Sequence, residues 1–203
     1  MRAQRVLGAV LIGGHSTRMG SPKQLLEFDG VCFVERIAAV LGPCVDRVVL
    51  VGGGEVPAAC ASLARISDAP GLAGPLAGIL AALRSEPDAS WVVAACDQPR
   101  VRAEAVEWLL AQRSADVWGV LPRDAAGRVE PLLAFYDARA RDVLEALAAE
   151  GRIAPREFAA HPRCATPVIP VSLAECWESV DRPADYEAWR RGVQRAGQPP
   201  RTG

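Results

Sequence analysis

No two cysteines in this 203-residue chain are spaced C-x-x-C. The six present, Cys32, Cys44, Cys60, Cys96, Cys164 and Cys176, are scattered, and four of them sit among apolar or small neighbours. That pattern excludes a zinc site and a disulfide frame, and it fits reduced thiols in the cytosol. An excess of one charge is also missing, because 23 lysines and arginines face 24 acidic residues. A chain without a basic field offers no broad surface to a DNA or RNA backbone, so nucleic acid is not an expected partner. No apolar run reaches the roughly 18 residues of a membrane-spanning helix. Arg2 and Arg5 ahead of apolar residues 6–12 imitate a secretory leader, but the run is short and ends at Gly13-Gly14 instead of a small-residue cleavage site. A soluble cytoplasmic protein with no membrane partner is the expectation. Internal repeats are absent, as are both the Walker spacing G-x-x-x-x-G-K-[ST] and the dinucleotide spacing G-x-G-x-x-G in the first loop.

What is present is enough apolar residue, 50% of the chain, to bury one sizeable core. One domain over 1–195 and a disordered tail over 196–203 are expected. Residues 5–12, 46–52 and 90–96 are valine-rich apolar runs, the pattern of strands buried on both faces of a parallel sheet. The alanine and leucine content of 31–41, 57–64 and 75–84 predicts covering helices between them. Further on, 102–112, 138–149 and 183–191 read as helices, the second ending at Gly151 and the third starting at Pro183. Strands are predicted over 116–121 and 129–135. This alternation predicts a doubly wound α/β layer.

Ligands of open α/β sheets bind beyond the carboxyl ends of the strands. After the first strand comes a glycine-rich turn carrying Arg18 and Lys23, a combination suited to wrapping backbone N–H groups and cations around a polyphosphate. After the third comes Asp97, either a helix cap or a carboxylate placed to hold Mg²⁺ with phosphate oxygens. Between the second and third lies Asp68-Ala-Pro-Gly-Leu-Ala-Gly-Pro-Leu-Ala-Gly78, too rich in glycine and proline for an ordinary helix start, although Asp68 also reads as part of a plain turn. His15 reads as a solvated loop residue.

The string Leu11-Ile12-Gly13-Gly14-x-Ser16-x-Arg18-Met19-Gly20-x-x-Lys23 resembles the L-A-G-G-x-S-x-R-M-G-x-x-K signature of nucleotidyltransferases with a nucleotide-diphospho-sugar-transferase-like fold. Gly74-Pro75-Leu76-Ala77-Gly78 is similar to the G-P-L-A-G segment of the branch that guanylylates molybdenum cofactor. Cys96-Asp97-Gln98-Pro99 resembles its C-D-x-P, Glu130-Pro131-Leu132 its E/H-P-L, and Ser179-Val180-Asp181-Arg182-Pro183 falls where the family has N-x-N-T-P. The chain departs from the pattern at Ile12 for alanine, Pro22 for a frequent aspartate, Gly52 for an asparagine of some members, and Ser179 and Asp181 for paired asparagines.

The resemblance implies a three-layer Rossmann-like fold with a mostly parallel mixed sheet. It implies transfer of GMP from GTP to the terminal phosphate of molybdopterin, with Mg²⁺ on Asp97. Leu11, Ile12, Gly13, Gly14 and Gly74 to Gly78 would serve the nucleotide, with Gly52 and Asp68 nearby, while Arg18 and Lys23 would meet the triphosphate. An acceptor that carries an anionic phosphate would call on Arg152, Arg156 and Arg163, with Glu130 and Asp181 adjacent. Chaperones specific to molybdoenzymes are a further expected class of partner. Two other readings stay open: cytidylyl transfer to the same cofactor or nucleotidyl transfer to a sugar or polyol phosphate, and a non-catalytic nucleotide-binding module.

Overall fold

Three strands carry the centre of the sheet because their residues are apolar on both faces. In the computed structural model, which describes residues 5–13 and 22–196, β1 (Val6–Leu11) lies between β4 (Arg47–Val51) and β6 (Ser90–Ala95), parallel to both, with Ala9 opposite Val49 on one side and Val93 on the other. β5 (Ala64–Ile66) pairs parallel with β4 at one edge. Beyond β6 comes β8 (Ala134–Tyr136), antiparallel both to β6 and to the next strand, β7 (Gly119–Val120), and then β9 (Cys164–Ala165), parallel to β7. The order β5-β4-β1-β6-β8-β7-β9 is that of a mixed, mostly parallel seven-stranded sheet.

Alternation along each strand sends side chains into two separate cores. Val10, Leu50 and Val92 pack with α1 (Phe33–Leu41) and α3 (Ala103–Ala111), through Val34, Ile37 and Leu41 and through Val106 and Leu109. Leu7, Val49 and Val93 pack on the opposite face with α2 (Pro75–Ser85) and α4 (Ala140–Ala149), through Leu76, Ile79, Leu80 and Leu144. The result is the expected three-layer α/β fold. A third, smaller cluster joins Phe33 to Val180 and to Trp189 of the last helix, α5 (Pro183–Ala196). No helix among the described residues is long and apolar enough to cross a membrane.

Several local expectations are corrected. Residues 57–64 are not a helix; they form a 3-10 turn, Ala58–Cys60, that leads into β5. The free edge of β4 offers ladder hydrogen bonds, and this pairing overrides the helical preference of the alanines. Strand 129–135 is paired only over Ala134–Tyr136, and Val129 makes one isolated bridge to Arg123 across the Asp124–Gly127 turn. Helix 31–41 begins at Phe33, because Val31 and Cys32 belong to a short hairpin, β2 (Glu27–Phe28) with β3 (Val31–Cys32). Asp29 and Gly30 take positive φ at its tip, the geometry of a tight hairpin turn. Gly151 does follow α4 in the left-handed conformation, and α5 runs on past 191 to Ala196. The remainder of the tail, 197–203, lies outside the described residues.

Candidate active site

The carboxyl ends of β1 and β4 meet backbone to backbone. Gly13 and Gly52 both have positive φ, and a Cβ on Gly52 would fall 2.1 Å from the Ile12 carbonyl oxygen. Gly52 is therefore fixed by sterics, which explains why no side chain stands there. It supports the first loop from behind and does not line the pocket in front of it. Gly78 plays a similar part on the next layer: its Cβ would lie 2.8 Å from Leu11 Cδ2, so glycine lets α2 press against the end of β1.

In front of these contacts is a pocket of about 290 Å³ lined by Leu11, Ile12, Gly13, Lys23, Asp68 and Asp97, together with Gly74, Pro75 and Gly78. Three segments separated in the chain thus converge at one sheet edge, as expected of the carboxyl ends of parallel strands. Leu76 and Ala77 are buried instead, Leu76 within the core under the sheet, so only their backbone could face a ligand. Gly14 and Arg18 lie outside the described residues.

Lys23 holds the centre. Its ammonium donates to Asp97 Oδ2 at 2.9 Å and also to Asp181 Oδ1. Burial works against its charge, but the hydrogen bonds to Asp181 and Asp97 and their fields prevail and raise the pKa above the ordinary 10.5. Ser179 Oγ donates to Asp181 Oδ2 at 2.6 Å, and the Val180 N–H donates to the Asp97 carbonyl at 2.8 Å. The segment before α5 is thereby pinned to the loop after β6. Beside this cluster Cys96 is buried, and burial first, then the Asp97 charge, pushes its thiol up to about 12. A thiol so protonated is not a nucleophile.

Among the described residues two carboxylates face one ammonium, which leaves negative charge in excess where a polyphosphate would have to sit. A divalent cation would resolve that conflict, and the oxygens of Asp97 and Asp181 are the hard donors that Mg²⁺ accepts, one or two carboxylates being its usual protein share. Among the described residues no group of three or more such side chains forms a closed cage.

Gly74 and Pro75 also border a second, larger cleft of about 1030 Å³, which continues the pocket. Glu130 and Arg156 line it, along with Trp177 and Trp189. Arg152 does not; it pairs with Glu157 and Glu150. Arg163 is also turned elsewhere, donating to Asp116 at 2.8 Å. Neither arginine lines the cleft in this structure, and nearby acids pair with both. Arg100, which sequence reasoning missed, lines the cleft and pairs with Glu178. Its place just after Cys96-Asp97-Gln98-Pro99 is the signal that could have pointed to it.

The sequence model of the MobA-like NTP transferase domain matches residues 8–164. The chain belongs to this family. A protein of Bacillus cereus (strain AH820) named "Probable molybdenum cofactor guanylyltransferase" is 35% identical over 149 residues, 70% of this chain and 74% of that protein. The crystal structure of molybdopterin-guanine dinucleotide biosynthesis protein A from Archaeoglobus fulgidus is 26% identical with a TM-score of 0.78, covering 93% of this chain and 99% of the other. The fold extends to 2-C-methyl-D-erythritol 4-phosphate cytidylyltransferase from Thermus thermophilus, at 16% identity and a TM-score of 0.64 over 95% of this chain and 100% of the other. The chain is accordingly a nucleotidyltransferase of the molybdenum cofactor guanylyltransferase type. Asp181 and both tryptophans of the cleft lie beyond the matched residues.

Proposed function

We propose that this MobA-like transferase moves GMP from GTP to the terminal phosphate of molybdopterin and releases pyrophosphate, with Mg²⁺ required. The observation that carries the reading is the Lys23 ammonium held between Asp97 and Asp181 at a small pocket that shares Gly74 and Pro75 with a large, mostly apolar cleft. The small pocket suits the nucleotide, with Leu11 to Gly13, Asp68 and the Gly74-Pro75 turn around it. The large cleft suits an acceptor with a planar body, and Arg156, exposed at its rim with no ion pair among the described residues, suits an anion.

In this mechanism an oxygen of the acceptor phosphate attacks the α-phosphorus of GTP, a new P–O bond forms, and the bond to the departing pyrophosphate breaks. No covalent enzyme intermediate is involved. Two anions must be brought together, so the protein contributes charge neutralisation and alignment. Lys23 exchanges its carboxylate partners for phosphate oxygens and stabilises charge gathering on pyrophosphate, and Arg18 is assigned the same task. Asp97, with Asp181 in reach, would hold Mg²⁺, which when bound neutralises phosphate oxygens. Cys96, being protonated, takes no part.

The test is pyrophosphate release with GTP, CTP or ATP, with and without molybdopterin. Release that needs both GTP and molybdopterin is the expected result. Preference for CTP, or release driven by a sugar phosphate, would replace the substrates while keeping the reaction; GTP binding with no release under any condition would refute it.

A further inference from the structure

The large cleft contains a carboxylate, Glu130, that accepts no side-chain hydrogen bond among the described residues. Glu130 lines the cleft beside Pro131, and its side chain is only 23% exposed. Among the described residues no hydrogen-bond donor reaches its oxygens within normal geometry. Its paired cation, Arg128, keeps Nε 3.5 Å away and turns its fork to Asp124, at 3.1 Å from Nε and 2.9 Å from Nη2. Burial raises the Glu130 pKa above the usual carboxylate value, with Arg128 only partly opposing it. A half-buried carboxylate short of donors is costly unless something else brings them.

The missing donors belong to a ligand that is planar enough for a mostly apolar cleft and that presents two adjacent N–H groups on one edge. A cyclic amidine meets both demands: an exocyclic amine and a neighbouring ring N–H match the spacing of two carboxylate oxygens. The 2-amino-4-oxo edge of a pterin is such a group. We propose that Glu130 is the specificity residue for the acceptor, reading the 2-amino and ring N–H groups of its pterin through two parallel hydrogen bonds. This rests on the reading of the acceptor as a pterin phosphate given above. Guanine carries the same edge, but Glu130 lines the cleft and is absent from the lining of the nucleotide pocket.

The discriminating probes are 6-hydroxymethylpterin and 6-hydroxymethyl-2,4-dioxopteridine, which replaces the 2-amino donor with an oxygen acceptor. Fluorescence titration of the full chain should show the pterin bound at least about tenfold more tightly, the scale expected when a site built for a donor meets an analogue lacking it. Glu130→Gln supplies one donor and one acceptor on the same side chain, so it should abolish or reverse that preference while leaving GTP affinity unchanged. Glu130→Asp keeps the carboxylate and should retain the preference at reduced affinity, and a thermal melt of each variant verifies folding. An unchanged preference in Glu130→Gln overturns the role of Glu130 while the acceptor reading stands. Loss of GTP affinity in that variant with pterin affinity intact overturns it in favour of guanine recognition. Failure of the wild-type chain to bind either pteridine, with GTP binding intact, removes the acceptor reading and this proposal with it.

Discussion

Lys23 and Asp97, 74 positions apart in the chain, meet at 2.9 Å beyond the carboxyl end of β6. This pair ties Lys23 directly to the residue that follows Cys96, just after the strand that succeeds α2. If it is the electrostatic core of the site, Lys23→Ala and Asp97→Ala should each lower turnover by at least about a hundredfold, the scale of losing one preorganised charged group. Steady-state pyrophosphate release measures this, and near-normal turnover in either variant would sink the assignment.

The Asp181 contact makes a prediction about pH. Lys23 has a folded-state pKa raised above 10.5, so the folded chain holds this proton more tightly than the unfolded chain. The associated stability is fully present below pH 10.5 and is lost as pH rises through the folded value. Asp181→Asn removes one of the groups that raise it. Urea denaturation followed from neutral to alkaline pH should show the wild type more stable than Asp181→Asn at neutral pH, with the difference shrinking as Lys23 deprotonates. A difference independent of pH would show that the Asp181 charge does not act through Lys23.

Gly52→Ala should be far more damaging than its size suggests. The added Cβ would sit 2.1 Å from the Ile12 carbonyl oxygen at a φ of +113°. Moving the first loop away from β4, plus the left-handed strain, should lower stability by at least about 2 kcal/mol. Urea titration checks this, and a change within about 0.5 kcal/mol would mean the two loops separate freely.

Trp189→Ala tests how the last helix is held. Trp189 is buried edge-on against Phe33, with ring centroids 4.8 Å apart, and Tyr186 stacks on it. Truncation should cost about 3 kcal/mol, the usual loss for a buried aromatic. GTP turnover should fall as well, because α5 follows directly on Asp181. Unaltered turnover in a well-folded variant would separate the helix from the site.

The sheet centre and the converging loops are legible in the sequence because they depend on local pattern. A strand buried on both faces must be apolar throughout, and Val6–Leu11, Arg47–Val51 and Ser90–Ala95 write that requirement almost without interruption. Parallel strands then bring their carboxyl ends to one edge, which is enough to place Lys23, Asp68 and Asp97 together. β5 and β9 are not legible, since two or three residues carry no period and gain their identity from a neighbouring strand. Asp181 stands out as a departure from a motif, but its bond to Lys23 spans 158 positions and has no local signature. The pairings of Arg152 with Glu157 and of Arg163 with Asp116 are not legible, because an exposed guanidinium takes whichever carboxylate the fold brings beside it.

The Val180 N–H bond to the Asp97 carbonyl and the Lys23 bond to Asp181 have a consequence in time as well as in space. Lys23 leaves the ribosome well before Asp181, which follows it by 158 positions. A nascent chain can therefore assemble its parallel strands and still lack one partner of its central lysine. The contact forms only once the chain has been made as far as Asp181, so a product cut short before that residue lacks it.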